Sequence, residues 1–127
     1  VSSIIPVDGE RELLKKLAQD HNYGIIDKKT NELIGNVGFI DINHLHRTAE
    51  IGIFIGNKSY WGKGYGREAL SLLLDYAFKK LNLHNILLRV YDFNRRAIAC
   101  YEKVGFKKIG AILFYRCFFF SFFQHGF

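Results

Sequence analysis

The chain has 127 residues, 49% of them hydrophobic and 16% aromatic, which is material for one buried core and too little length for two ordinary domains. Charged residues make up 24% and proline occurs once, so composition excludes a disordered linker or a low-complexity tract. A formal net charge of +6 asks for an anionic partner without choosing among nucleic acid, an acidic surface and a phosphorylated small molecule.

Along the chain, Asp8 reads as an N-cap, and Leu13, Leu14, Leu17 and Ala18 recur at helical spacing, which predicts a helix from Glu10 to Asp20. Tyr23 to Asp27 reads as a short strand, residues 28–32 as a turn, and Leu33 to Ile42 as the hairpin partner. In "AEIGIFIG", Ala49 to Gly56, the isoleucines Ile51, Ile53 and Ile55 share one face, as in a strand. A glycine-rich loop follows. After it, Ala69, Leu70, Leu73, Leu74, Ala77, Phe78 and Leu81 form a broad apolar stripe, with Glu68 in the first turn and Lys79 and Lys80 in the last, which predicts a long helix. Asn85 to Phe93 reads as a buried strand. "NRRAIACYEKVGF" reads as a helix capped by Asn94 and closed by Gly105, and a final strand follows. The expected architecture is a single α/β (α+β) domain, residues 1–127, around a mixed sheet. In it the strands on either side of the long helix run parallel.

The basic residues come in scattered pairs, among them Lys28 and Lys29, Lys79 and Lys80, and Arg95 and Arg96. That is the pattern of a solvated surface, so nucleic acid is not the expected partner. Cys100 and Cys117 stand far apart without a CxxC or Cys/His cluster, which indicates neither a metal site nor a disulfide framework. With no secretory signal at the start, the expected compartment is the cytoplasm. The apolar run from Ala111 to Phe123 is too short for a membrane helix and is broken by Arg116.

The loop "SYWGKGYGREAL", Ser59 to Leu70, places Gly62, Gly64 and Gly66 between a strand and a helix N-terminus, where backbone N–H groups and the helix dipole can receive a phosphate. Two common phosphate motifs fail on spacing. For a Walker A loop, Gly56 lies one residue too far from Gly62, and Lys63 is followed by Gly64 rather than Ser or Thr. The dinucleotide fingerprint would need glycine where Arg67 stands.

Ser59 to Gly66 instead resembles the pyrophosphate loop of the GNAT N-acetyltransferases, Gln/Arg-x-x-Gly-x-Gly/Ala, with Trp61 in the first place. "AEIGIFIG" is similar to the strand that precedes that loop, and "NRRAIACYEKVGF" to the family's closing N-x-x-A-x-x-x-Y-E-K-x-G-F signature. The likeness runs from about Tyr23 to Gly110. It implies acetyl-CoA as donor, with the pyrophosphate over the N–H groups of Gly62, Lys63, Gly64, Tyr65, Gly66 and Arg67, beside Trp61. It also implies that the pantetheine arm pairs with the backbone of Ile53, Phe54 and Ile55, and that Asn94 hydrogen-bonds that arm. Tyr101 would protonate the departing thiolate, and Glu50 is the candidate general base, acting directly or through water.

For the acceptor, the glycine loop resembles the branch that acetylates protein N-terminal amines, which is the leading expectation. "DINHLHRTAE", Asp41 to Glu50, is similar to spermidine acetyltransferases and supports a polyamine as the alternative. An inactive coenzyme A-binding module is the remaining reading. Two departures from the family stand out. Elements that normally precede the region near Glu10 are absent or reduced, so the fold is expected to be N-terminally shortened. The end of the chain, residues 111–127, is a phenylalanine-rich tail with no turn residue from Ala111 to Ser121. A buried or swapped strand, a homodimer surface and a frame-shifted end are its open readings.

Overall fold

The computed structural model describes residues 4–5, 12–16, 22–56 and 58–123. The described residues form one eight-stranded sheet and two α-helices. In chain order the strands are β1 (Ile4–Ile5), β2 (Glu12–Lys16), β3 (Asn22–Asp27), β4 (Glu32–Asn43), β5 (Thr48–Ile55), β6 (Asn85–Tyr91), β7 (Lys107–Ile112) and β8 (Cys117–Phe123). Helix α1 (Tyr65–Lys79) joins β5 to β6, and α2 (Arg95–Val104) joins β6 to β7. The strand order across the sheet is β1-β2-β3-β4-β5-β6-β8-β7.

The predicted helix from Glu10 to Asp20 is overturned at its centre. Glu12 to Lys16 is a strand, antiparallel to β3 with Leu14 opposite Ile25. Helix propensity differs by only tenths of a kcal/mol among these residue types, so the ladder bonds that cover the open edge of β3 decide the outcome. Asp8, Glu10 and residues 17–20 of that expectation lie outside the described residues.

From β3 to α2 the expected elements are present. The β5 and β6 strands are parallel, and every other pairing in the sheet is antiparallel. The apolar stripe of α1 buries Ala69, Leu70, Leu73, Leu74 and Ala77 in one core with Ile25, Val37, Ile51, Ile86 and Leu88. Strand alternation puts the intervening residues on the opposite face, where Ile40 and Phe54 are exposed.

Within the phenylalanine-rich end, Cys117–Phe123 is a strand built into the sheet. β8 lies between β6 and β7, running antiparallel to both, and Phe120 is 1% exposed in the core. The turn that the sequence lacks is made by Arg116. Its φ of 56° is left-handed, its N–H donates to Leu113 O at 3.1 Å, and its Nε donates to Asp92 Oδ1 at 3.1 Å. Asp92 N–H in turn donates to Arg116 O at 2.8 Å, which ties the turn to the end of β6. The hairpin tip leaves Leu113, Phe114 and Tyr115 exposed.

Candidate active site

Strands β5 and β6 begin as neighbours and then part. They are paired only at Thr48 with Asn85, Ala49 with Ile86 and Glu50 with Leu87. Past Glu50, β6 continues on β8, whereas β5 keeps only β4 at its side. Among the described residues, the edge of β5 from Ile51 onward therefore has no strand partner on the β6 side. Backbone amides on such an edge accept an extended chain of amides as a further strand.

β4 holds this segment from its other side at close range. A Cβ on Gly35 would stand 2.1 Å from Phe54 O, so only glycine lets the two strands meet there. Gly56 N–H also donates to Ile34 O at 3.1 Å, which fixes the start of the loop.

The loop then turns through two left-handed glycines, Gly62 at φ 73° and Gly64 at φ 87°, with Gly64 as the N-cap of α1. A Cβ on Gly62 would meet nothing within 4 Å, so the loop backbone faces open space there. At a helix start the first N–H groups lack intrahelical acceptors, and here they belong to Tyr65, Gly66 and Arg67. Trp61 Nε1 donates to Ile55 O at 2.7 Å and pins the loop to the end of β5. Tyr60 is anchored from below. Burial alone would raise Asp27, yet hydrogen bonds from the Tyr60 hydroxyl, Lys29 N–H and Thr30 hold it below its usual carboxylate value.

These elements enclose one cleft of about 710 Å³ between the free edge of β5, the glycine loop and α2. Of the residues expected at the site, Ile53, Phe54, Ile55, Trp61, Gly62, Lys63, Gly64, Gly66, Arg67, Asn94 and Tyr101 line it. Tyr65 does not. Its side chain is buried in the core, edge-on to Tyr60 at 4.8 Å, which leaves its backbone N–H as its contribution. Glu50 stands outside the lining, at the last paired position before the strands part, and its Oε2 accepts from Arg89 Nε at 2.6 Å.

Sequence reasoning missed Arg96, Cys100 and Lys103, which line the cleft from α2. Their i, i+4, i+7 spacing is the signal that could have found them. Cys100 is half-buried in the wall. The cleft thus gathers Lys63, Arg67, Arg96 and Lys103, and no carboxylate lines it among the described residues. Its electrostatics suit a polyanion.

Asn94 and Tyr101, two turns apart, face the same cleft. The Asn94 side chain accepts from Ala97 N–H at 3.2 Å and caps α2. Burial, and after it the neighbouring Cys100, pushes the Tyr101 phenol up to about 12, with Arg96 opposing. The group is therefore protonated across the neutral range and able to donate. Among the described residues no cluster of three or more His, Cys, Asp and Glu is placed to hold a metal ion.

A forked parallel strand pair, a glycine loop with cations on a helix start and a tyrosine in the facing wall thus share one cleft whose charge and open sheet edge suit a ligand carrying phosphates and amides. The chain belongs to the GNAT acetyltransferase family, whose domain description, acetyltransferase (GNAT) domain, matches residues 5–107. It is 39% identical over 89 residues to spermidine N(1)-acetyltransferase of Vibrio cholerae, a match covering 70% of this chain and 51% of that protein. It is 38% identical over 111 residues to the probable N-acetyltransferase YjcK of Bacillus subtilis, covering 82% and 61% respectively. The chain thus spans little more than half the length of these relatives. Among solved structures, it superposes on spermidine N-acetyltransferase of Vibrio cholerae in complex with CoA and spermine with a TM-score of 0.74 and 31% identity, over 92% of this chain and 68% of that one. A dodecameric structure of the Vibrio cholerae enzyme gives a TM-score of 0.73.

Proposed function

We propose that the chain is the catalytic domain of an acetyl-CoA-dependent N-acetyltransferase acting on a primary amine. One observation carries this reading: a single cleft joins the free backbone edge of β5 to a cationic helix start, with Tyr101 in its wall. The fit to coenzyme A is chemical. The left-handed glycines expose N–H groups where a pyrophosphate needs donors, four cations supply the opposite charge, and the β5 edge suits the amides of a pantetheine arm.

When bound, acetyl-CoA supplies an activated acyl group as a thioester. The residues of this chain have three tasks. The edge of Ile53 to Ile55 fixes the direction of the arm, which converts a bimolecular encounter into a positioned one. Tyr101, held protonated, donates toward the sulfur as it departs. Glu50, at the fork, takes the proton of the attacking amine directly or through water, and its ion pair with Arg89 sets the direction of its carboxylate.

For the acceptor, likeness to spermidine acetyltransferases favours a polyamine. A protein N-terminal amine, the leading expectation from the glycine loop, stands as the second reading, since the guanidinium of Arg89 beside Glu50 opposes a polycation at the fork. Calorimetry with acetyl-CoA, coupled to thiol release on spermidine, spermine and peptides with free N-termini, tests both. Turnover on the polyamines alone is the expected result. Binding without turnover on any amine would favour an inactive coenzyme A-binding module, and failure to bind coenzyme A would overturn the reading.

A further inference from the structure

Arg96 was a surface charge in the sequence, one of a pair with Arg95. In the structure its Cζ lies 3.5 Å from the centroid of the Trp61 ring. The stack reaches from the first turn of α2 to the glycine loop, and its platform is itself fixed by the bond from Trp61 Nε1 to Ile55 O. We propose that Arg96 is a phosphate-binding residue of this cleft, its guanidinium preset by Trp61 to grip a phosphate group of coenzyme A; this rests on the donor assigned above.

The chemistry follows from the geometry of the stack. A guanidinium carries its five N–H donors around its edge and none on its face. Stacking spends the face on the indole and keeps the edge for planar, two-pronged binding of phosphate oxygens. The indole also restricts the rotamers of a long side chain before any ligand arrives, which lowers the entropy lost on binding. The surroundings have the matching sign. Lys103 lies two turns further along α2 on the same wall, Lys63 and Arg67 lie on the loop side, and among the described residues the cleft lining contains no carboxylate. Arg95, its neighbour, does not line the cleft.

Calorimetric titration of coenzyme A and 3′-dephospho-coenzyme A into the wild type, Arg96→Ala, Arg96→Lys and Arg95→Ala chains tests the proposal. Loss of a charge-assisted phosphate contact weakens coenzyme A binding about ten- to a hundredfold in Arg96→Ala, with partial recovery in Arg96→Lys and no comparable loss in Arg95→Ala. The loss shrinks at about 1 M salt, where the Debye length is about 3 Å. If dephospho-coenzyme A suffers the same loss, Arg96 holds the pyrophosphate; if it is spared, Arg96 holds the 3′-phosphate. Equal losses in Arg95→Ala and Arg96→Ala, a loss indifferent to salt, or unchanged binding in Arg96→Ala would overturn the proposal while leaving the donor assignment in place. A wild-type chain that binds neither ligand would overturn both.

Discussion

Phe120 of β8 stands against Tyr101 of α2, ring centroids 6.3 Å apart and planes at 60°. Phe106 meets the same tyrosine at 6.1 Å, so two aromatic edges fix the phenol in the cleft wall. The phenylalanine-rich end of the chain is therefore part of the site's support. Phe120→Ala removes a fully buried ring and should cost about 3–5 kcal/mol in stability, read by urea unfolding. The milder Phe120→Leu should fold and bind coenzyme A while turning over more slowly, because Tyr101 loses one of its two supports. Undiminished turnover in Phe120→Leu would separate the strand from the chemistry.

Tyr101→Phe keeps the ring and deletes the proton. If Tyr101 is the general acid, this variant should lower turnover on the order of a hundredfold or more while acetyl-CoA affinity stays near the wild-type value. The phenol also leaves a mark on stability against pH. Its folded value is raised to about 12 from the ordinary 10.0, so its contribution is fully present below pH 10 and is lost as pH rises toward 12. Tyr23, raised by burial and by its hydrogen bond with Tyr76, adds to the same alkaline loss. Denaturation curves between pH 9 and 12 should fall less steeply in Tyr101→Phe than in the wild type. Parallel curves would mean that the phenol is not held up by the fold.

Gly64 sits at φ 87° as the cap of α1, a conformation that costs a residue with a Cβ roughly 1–2 kcal/mol. Gly64→Val should therefore lower the melting temperature and weaken acetyl-CoA binding together. Gly105→Ala makes a contrast at the far end of α2. At φ 122°, with Phe122 Cε2 2.8 Å from the added Cβ, it should destabilise the fold through the packing of β8. It should do so without a cofactor-specific loss, and thermal melts with and without coenzyme A distinguish the two variants.

The sequence made the centre of the molecule legible and left its margins obscure, for physical reasons. From β3 to α2 the apolar periods match strand or helix, and the caps Asn94 and Gly105 mark ends through local backbone chemistry. The glycine loop was legible because its left-handed turns at Gly62 and Gly64 are conformations that glycine adopts most readily. β2 was not. Its "ELLKK" suits a helix, and what makes it a strand is the edge of β3, distant in sequence. The turn before β8 has no glycine because Asp92 holds Arg116 in a left-handed conformation through contacts that no local window contains. Arg96 read as solvated surface since only the fold brings Trp61 beneath it.

Glu50 and Arg89 allow stability and chemistry to be separated. The pair is partly open to solvent, with side chains 21% and 57% exposed, and such ion pairs are worth about 0–1 kcal/mol. Glu50→Gln should thus leave the unfolding midpoint nearly unchanged. If Glu50 removes the proton of the amine, the same variant should lose about a hundredfold in turnover at neutral pH, with part of the loss recovered at higher pH where free amine is plentiful. Arg89→Gln supplies the complementary change: the carboxylate remains but its guanidinium partner is gone, so turnover should persist with an altered pH profile. Normal turnover in Glu50→Gln at neutral pH would transfer the role of base to another group or to water, and would leave the ion pair as a clasp at the point where β5 and β6 part.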